Sequence, residues 1–171
     1  MKVMVIGASG MLGYDLARVF HKRDLLLVDL NIEGINTAQC DITDFAALNR
    51  LFSNTKPYYV INASAYTDVD ACEENVELAY KVNSDGARNI ARCAKEFGAA
   101  FLQVSTDYVF DGTKTTPYLE TDLVNPLGVY GKSKLEGELQ TAKIMKEAFI
   151  VRTALLYGRN RSNFVTKILQ Q

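Results

Sequence analysis

The chain has 171 residues, the length of a single domain, and its 48% hydrophobic and 23% charged residues are ordinary for a globular protein. This composition excludes disordered, collagen-like and acidic-tail chains, and a net charge of −1 gives no bulk attraction to nucleic acid or to an anionic membrane. No apolar run approaches the roughly 20 residues of a membrane span. The apolar start is cut short by Gly7, too early for a signal peptide, so we expect a cytoplasmic protein. Three scattered cysteines and one histidine predict neither a disulfide framework nor a metal site.

Short apolar runs alternate along the chain with helical patterns. Strands are predicted at 2–6, 25–29, 38–41, 58–62, 100–105 and 148–152, and their continuous apolar character is typical of strands buried on both faces of a sheet. Helices are predicted at 11–22, 44–53, 76–97, 128–141 and 163–171, with Gly98 as a C-terminal cap residue. This alternation predicts an α/β fold, a doubly wound parallel sheet of the Rossmann type, in one domain over residues 1–171. The one long irregular segment is Thr106–Pro126.

A glycine-rich turn separates the first strand from the first helix. Its spacing, G-x-x-G-x-x-G, is weak evidence alone, but its place between an apolar strand and a helix strengthens it. Glycines there permit a tight turn and let backbone N–H groups approach a pyrophosphate at the helix N-terminus. We therefore predict a dinucleotide site, and an ordinary strand–helix turn is the alternative. The predicted cofactor-contacting residues of this turn are Gly7, Ser9, Gly10, Met11, Leu12 and Gly13.

Two aspartates follow later strands. Asp29 ends the second strand, where dinucleotide-binding folds place an acid that accepts hydrogen bonds from the adenosine ribose. A carboxylate there repels a 2′-phosphate, so Asp29 favours NAD over NADP; a solvated strand-end aspartate is the alternative. Asp41 is placed to reach the adenine amino group, or else it belongs to a helix cap with Thr43 and Asp44.

A tyrosine–lysine pair opens the predicted helix at 128–141. Tyr130 and Lys134 are spaced i,i+4 and share one helix face, although nine tyrosines make the spacing weak evidence alone. A free tyrosine has a pKa of about 10, and an ammonium about 4 Å away at an effective dielectric of about 20 would lower that pKa by up to about three units. We therefore predict that Lys134 brings the Tyr130 phenol towards neutral pH as an acid–base catalyst. The Thr106 hydroxyl would hold a substrate carbonyl against the phenol.

The candidate residues share one location in the predicted fold, the carboxyl ends of strands, where open parallel sheets bind ligands. They are Gly7, Asp29, Asp41, Asn62-Ala63, Thr106 and Arg152-Thr153. A separate acidic group lacks the spacing of a calcium-binding loop, and we interpret it as acids in the first turn of a short helix. That group is Asp68, Asp70, Glu73 and Glu74.

Four segments together resemble the extended short-chain dehydrogenases/reductases, most closely their dTDP-4-dehydrorhamnose reductase branch. Two of the four segments are specific to that branch in combination. They are Ser105-Thr106-Asp107-Tyr108-Val109-Phe110-Asp111-Gly112 and, within 125–134, Tyr130-Gly131-Lys132-Ser133-Lys134. The other two are 7–13 and Asn62-Ala63-Ser64-Ala65-Tyr66-Thr67. The resemblance covers essentially the whole chain.

The resemblance implies NAD(P)H-dependent reduction of the C4 ketone of a dTDP-deoxysugar, for deoxysugar and polysaccharide precursor synthesis. Tyr130 is then the proton donor, Lys134 binds the nicotinamide ribose and tunes Tyr130, and Thr106 completes the triad. We expect NAD(H) or NADP(H) as cofactor, with NAD(H) slightly favoured, a nucleotide-sugar substrate as partner, and neither nucleic acid nor membrane; a homodimer stays open. The further cofactor contacts that it implies are Asp41, Ile42, Ala63, Ala65, Tyr66 and Thr67, and the implied substrate contacts are Thr106, Asp107, Tyr108 and Leu155.

The chain departs from this family in two ways. Family members are much longer and carry a C-terminal substrate lobe, so we expect the cofactor half only, inactive in isolation. The family's substrate-side tryptophan aligns with Leu155, and the chain has no tryptophan. One alternative function is a non-catalytic NAD(P)-binding regulatory subunit, similar to the β subunit of methionine adenosyltransferase. Another is a sugar-nucleotide epimerase or dehydratase. The intact Thr106, Tyr130 and Lys134 favour the reductase.

Overall fold

A computed structural model of the protein describes residues 1–31, 37–158, 160 and 163–169. Its strands are β1 (Lys2–Ile6), β2 (Asp24–Asp29), β3 (Thr37–Gln39), β4 (Tyr59–Asn62), β5 (Ala100–Thr106) and β6 (Phe149–Thr153). All of the pairings are parallel, in the order β3-β2-β1-β4-β5-β6. The order reverses between β1 and β4, which confirms the predicted doubly wound sheet and puts a ligand crevice at that reversal.

Helices connect the strands. They are α1 (Met11–Val19), α2 (Phe45–Thr55), α3 (Val69–Glu74), α4 (Val76–Tyr80), α5 (Ala87–Glu96), α6 (Val129–Ile144) and α7 (Phe164–Leu169). The single helix predicted over 76–97 is interrupted by a π-helical turn at Lys81–Gly86, which separates α4 from α5. Such widened turns occur often at functional sites. The predicted ends of the last helix at 170–171 lie outside the described residues.

Local signals in the sequence fix several helix ends. The Asp44 carboxylate accepts a hydrogen bond from the Ala47 N–H at 3.0 Å, and α2 begins directly after it. Gly98 follows α5 with φ +69°, a left-handed conformation that suits glycine, and its N–H donates to the Lys95 carbonyl. The predicted cap residue at the end of this helix is therefore confirmed.

The two faces of the sheet are covered unequally. On one face, buried side chains of the sheet such as Phe101 pack with Phe52 of α2 and Ile90 of α5. On the other face, α1 covers Val3 and Val5. The register aligns a row of apolar side chains on this second face, Leu27, Val5, Ile61, Leu102 and Phe149. Val5 is fully buried whereas Phe149 is 66% exposed, so the prediction of burial on both faces fails at the β6 end. No helix among the described residues has the length and apolarity needed to cross a membrane.

Candidate active site

A cleft of about 1000 Å³ opens at the carboxyl edge of the sheet. Its walls come from the residues at or just after the ends of β1, β2, β4, β5 and β6, together with the first two turns of α6. The structure thus brings most of the predicted site residues together, whereas Gly13, Asn62 and Arg152 do not line the cleft. Those that line the cleft are Gly7, Ser9, Gly10, Met11, Leu12, Asp29, Asp41, Ile42, Ala63, Ala65, Tyr66, Thr67, Thr106, Asp107, Tyr108, Tyr130, Lys134 and Leu155.

The three glycines of the turn, Gly7, Gly10 and Gly13, have different structural roles. Gly7 has φ +83°, and a β-carbon on it would lie 2.5 Å from the Ser64 nitrogen, so both its conformation and its surroundings require glycine. Gly13 packs against the turn itself, since a β-carbon there would lie 2.7 Å from the Ala8 Cα. A β-carbon on Gly10 would meet only the Gly7 carbonyl oxygen, at 3.2 Å. The fold therefore uses Gly7 and Gly13 for packing, whereas Gly10 keeps the turn open towards the cleft.

The N-terminus of α1 faces this cleft without a side-chain cap. Gly10 is the N-cap residue, and within the described residues no side chain caps it and no acid lies in the first turn. The backbone N–H groups and the positive end of the helix dipole are therefore open to an anion. This arrangement fits the pyrophosphate of a dinucleotide.

Asp29 lines the cleft and also braces the glycine turn. Its Oδ2 accepts a hydrogen bond from the Ser9 N–H, and its Oδ1 accepts one from the Leu30 N–H, both at 2.8 Å. A carboxylate oxygen has a second lone pair, so these bonds leave Asp29 able to accept from a ribose hydroxyl. The alternative of a merely solvated strand-end aspartate is wrong, because the side chain holds the turn in place.

Asp41 lies in the cleft and also makes a local hydrogen bond near the start of α2. Its Oδ1 accepts a hydrogen bond from the Thr43 N–H at 2.8 Å, and the residue lies in the cleft wall. The cap of α2 is Asp44. Asp41 therefore makes the hydrogen bond to Thr43, but Asp44 and not Asp41 caps the helix.

A buried asparagine holds the segment 63–67 against α6. Asn83, in the π-helical turn, accepts from the Tyr66 N–H through Oδ1 at 2.8 Å, and its Nδ2 donates to the Tyr66 carbonyl and to the Ser133 Oγ. It is 3% exposed. Sequence reasoning missed this residue because its partners lie 17 and 50 positions away and no local pattern announces them.

Tyr130 and Thr106 meet at one side of the cleft. Burial raises the pKa of the Tyr130 phenol above its ordinary value of 10, and a hydrogen bond with the Thr106 side chain opposes that shift. The Tyr108 ring packs edge-on against the Tyr130 ring, with centroids 5.5 Å apart. The phenol is thus enclosed and protonated at neutral pH.

Lys134 does not lower the pKa of Tyr130 as predicted. Its Nζ donates to the Val104 carbonyl at 2.8 Å, and the phenol's pKa rises because burial is the largest influence on it. Burial also lowers the pKa of Lys134 itself, from 10.5 to about 8, against the opposing charge of Glu138. The prediction failed because it neglected the cost of burying the phenol, which raises the pKa of Tyr130.

A buried ion pair lies one turn further along α6. Arg152 of β6 binds the Glu138 carboxylate through Nε at 3.0 Å and Nη2 at 2.6 Å, and Glu138 is 4% exposed. The guanidinium also lies over the Phe110 ring, 5.0 Å from its centroid, and that ring stacks on Tyr118. These contacts anchor the long irregular segment to the sheet. No pattern in the sequence predicts that Arg152 pairs with Glu138 or packs on Phe110.

Asp111 organises the same irregular segment. Its carboxylate accepts from the Thr113 N–H and hydroxyl, from the Tyr118 hydroxyl and from the Asn125 Nδ2, at 2.8 to 3.1 Å. These hydrogen bonds hold its pKa well below the usual range. The segment predicted as irregular is confirmed as such, and it is internally bonded.

Leu155, predicted on the substrate side, lines the cleft just after β6. It is 70% exposed and has φ +43°, a conformation that is uncommon for a bulky residue. The adjoining Leu156 also lines the cleft. This wall is therefore apolar and open to solvent.

The acidic group at 68–74 is only partly as interpreted. Asp68 caps α3 by accepting from the Ala71 N–H at 3.0 Å, and Asp70 lies in the first turn. Glu73 instead accepts from the Val129 N–H of α6 at 2.7 Å. Within the described residues, no three histidine, cysteine, aspartate or glutamate side chains are grouped to hold a metal ion.

Comparison with known proteins identifies the family. The sequence profile of the RmlD substrate binding domain matches residues 1–171. The chain belongs to the RmlD substrate binding domain family. This result confirms the resemblance seen in the four sequence segments.

Relatives of this RmlD-family chain are longer than the chain itself. The dTDP-4-dehydrorhamnose reductase of Aggregatibacter actinomycetemcomitans is 40% identical to it over 172 residues, which are 99% of this chain and 56% of that relative. The crystal structure of a dTDP-4-dehydrorhamnose reductase from Clostridium acetobutylicum matches with a TM-score of 0.88 and 40% identity, over 99% of this chain and 59% of that one. The reductase from Bacillus anthracis in complex with NADP matches with a TM-score of 0.89 and 33% identity, over 99% and 58%. The chain therefore spans less than three fifths of the length of these RmlD-family relatives.

Proposed function

We propose that residues 1–171 form the cofactor-binding domain of an NAD(P)H-dependent reductase acting on the C4 ketone of a dTDP-deoxysugar such as dTDP-4-dehydrorhamnose. One observation carries the proposal: a single cleft contains both the uncapped N-terminus of α1 and the Thr106, Tyr130 and Lys134 side chains. An anion site next to a half-buried proton donor suits a dinucleotide-dependent carbonyl reduction. The similarity to dTDP-4-dehydrorhamnose reductases supports the sugar substrate.

The glycine turn and Asp29 would hold the adenosine diphosphate part of the cofactor, with Asp41, Ile42 and the segment 63–67 along its path. The cofactor supplies the hydride that is added to the ketone carbon. The Asp29 carboxylate would repel a 2′-phosphate, so we propose that NADH binds at least as well as NADPH. The Bacillus anthracis relative was solved with NADP, which makes this preference a point to be measured.

Tyr130 would donate its phenolic proton to the ketone oxygen, which becomes the product hydroxyl. Burial raises the pKa of Tyr130, which keeps the phenol protonated at neutral pH, as a proton donor requires, but also makes it a weaker acid. Thr106 would hold the ketone oxygen through its hydroxyl. Lys134, with a pKa of about 8, is mostly a cation at pH 7, and it lies on the same helix face as Tyr130. Its ammonium would bind the nicotinamide ribose of the cofactor.

The walls that hold the nucleotide end of the substrate would come from outside residues 1–171. Binding energy from such a remote part positions the reacting carbon and so raises the rate as well as the affinity. We therefore expect the chain alone to bind cofactor but to reduce the sugar on the order of a thousandfold more slowly than a protein that includes a substrate lobe.

The test is NADH oxidation with dTDP-4-dehydrorhamnose by three proteins: residues 1–171, the polypeptide extended by its substrate lobe, and the Tyr130→Phe variant of the extended polypeptide. We expect activity in the extended protein only, and unchanged NADH binding in the tyrosine variant. Full activity of Tyr130→Phe would refute the proton-donor assignment. Cofactor binding without any turnover by the extended protein would favour a regulatory subunit.

A further inference from the structure

The first turn of α6 is capped by a residue from another helix. Gly128, the N-cap residue, has no side chain to offer, and the Val129 N–H instead donates to Oε1 of Glu73 at 2.7 Å. Glu73 is the next-to-last residue of α3 and lies 56 positions upstream of Val129. Tyr130 is the residue directly after this capped amide. The position of the phenol is therefore tied to a side chain that belongs to α3.

The glycine at position 128 makes this approach feasible. A β-carbon on Gly128 would lie 2.8 Å from the Glu73 Oε1, closer than an ordinary contact. The carboxylate thus occupies the space that a side chain at 128 would need. It also lies at the positive end of the dipole of a 16-residue helix, which favours a negative charge.

The helix α3 that carries Glu73 is joined to the cofactor side of the cleft. Val69, its first residue, lines the cleft directly after Tyr66 and Thr67. Cys72 is fully buried, and its thiol donates to the Tyr66 carbonyl at 3.6 Å. One short helix therefore contacts both the segment proposed to bind cofactor and the helix that carries the proposed proton donor.

We propose that Glu73 is a positioning residue for the reaction: its carboxylate fixes the first turn of α6 and thereby sets the Tyr130 hydroxyl against the segment 63–67. This inference rests on the proposed role of Tyr130 as proton donor. Other contacts also hold α6. In its first turn, a β-carbon on Gly131 would overlap the Tyr108 carbonyl oxygen. Further along, a β-carbon on Gly137 would overlap the Asn83 carbonyl oxygen, and the Ser133 Oγ accepts a hydrogen bond from the Asn83 amide. Within the described residues, Glu73 is the side chain that bonds the first backbone amide of the helix.

The test compares three variants in the extended, active polypeptide. Glu73→Ala removes the acceptor and should lower kcat about fivefold, with the KM for NADH within twofold of wild type. Glu73→Gln keeps an oxygen that accepts the Val129 N–H and should restore kcat to within twofold of wild type. Glu74→Ala, at the neighbouring exposed position, is the matched control and should leave kcat unchanged.

A second, independent variant comes from the glycine. Gly128→Ala should push the flexible end of the Glu73 side chain away from the Val129 amide and lower kcat, by no more than Glu73→Ala does, and the double variant should lose no more than Glu73→Ala alone. In the chain of residues 1–171, the Val129 amide signal in a ¹⁵N–¹H spectrum should move in Glu73→Ala and in Gly128→Ala, because both break the same hydrogen bond.

The outcomes separate this inference from the proposed function. If Tyr130→Phe is inactive while Glu73→Ala and Gly128→Ala keep full kcat, the positioning role is wrong and the proton donor stands. If Tyr130→Phe retains full kcat, the proposed function itself fails. Additive losses in the double variant, or failure of glutamine to restore kcat in a folded protein, would also overturn the role of Glu73.

Discussion

Alanine substitutions at two glycines of the glycine-rich turn, Gly10 and Gly13, should separate a role in packing from a role in ligand binding. A β-carbon on Gly13 would lie 2.7 Å from the Ala8 Cα and 2.8 Å from the Gly7 carbonyl carbon, so α1 must move away from the turn. A β-carbon on Gly10 would meet one atom at 3.2 Å, which requires a shift of a few tenths of an ångström. Gly13→Ala should therefore damage the fold, whereas Gly10→Ala should damage the site.

The magnitudes follow from these distances. Overpacking a close contact costs about 1–3 kcal/mol, and the better helix propensity of alanine returns about 1 kcal/mol within α1. The nearest atoms to a Gly13 β-carbon are all backbone and all closer than 3.0 Å, so the upper end of this cost applies. Gly13→Ala should thus lose about 2 kcal/mol of unfolding free energy, or about 4–8 °C in Tm for a domain of this size. Gly10→Ala should change Tm by less than that but weaken NADH binding about tenfold, equivalent to about 1.4 kcal/mol, because its methyl group lies where the pyrophosphate would approach.

The assay pairs thermal unfolding followed by circular dichroism with NADH titration followed by nicotinamide fluorescence, on residues 1–171. Gly98→Ala serves as a control for glycine substitution away from the site, since a β-carbon there meets nothing within 4 Å and only its φ of +69° is strained. Wild-type affinity in Gly10→Ala would remove the turn from the binding site. Wild-type Tm in Gly13→Ala would refute the packing argument.

Three further outcomes are expected. Asp29→Asn should narrow any preference for NADH over NADPH in the same titration, because it removes the charge that repels a 2′-phosphate; an unchanged ratio contradicts that reasoning. Lys134 has a pKa of about 8 in the folded chain and 10.5 ordinarily. Between pH 8 and 10.5 the unfolded chain therefore binds more protons than the folded chain. The free energy of unfolding should rise with pH across that window, by up to about 3 kcal/mol. Urea unfolding of Lys134→Met at several pH values should show no such rise in unfolding free energy. An equal rise in the variant and in the wild type would contradict a lowered pKa of Lys134. Arg152→Met should cost about 3 kcal/mol by leaving the Glu138 carboxylate buried and unpaired, while Arg152→Met with Glu138→Met should recover most of that loss; additive losses would show that the pair is not coupled.

Sequence periodicity predicted the sheet well because its signal is local. The strands β1, β2 and β4 and the helix ends at Asp44 and Gly98 were recognisable from a few adjacent residues. The π-helical turn within 81–86 was not, since a helical pattern of 22 residues gives no sign of one widened turn. The exposed Phe149 also escaped prediction, because burial of a strand depends on what packs against the sheet.

The site was predicted in position but not in its electrostatics. Strand ends meet at one edge of a parallel sheet, so the topology alone gathered residues such as Gly7, Asp29 and Thr106. The pKa of Tyr130 depends mainly on burial and on the hydrogen bond with Thr106, and neither is visible in a Tyr-x-x-x-Lys spacing. Glu73 and Asn83 likewise act over separations of 56 and 50 positions.

The central claim is that the carboxyl edge of the sheet binds a nicotinamide dinucleotide with Tyr130 at the reacting end. The most direct measurement is a ¹⁵N–¹H NMR titration of residues 1–171 with NADH. We expect saturable shifts for amides of the glycine turn, of 63–67, and of Thr106 and Tyr130, with no shift for Tyr59, Ala100 or Phe149 at the opposite end of the strands. Shifts confined to that opposite end, or none at millimolar NADH, would contradict the account.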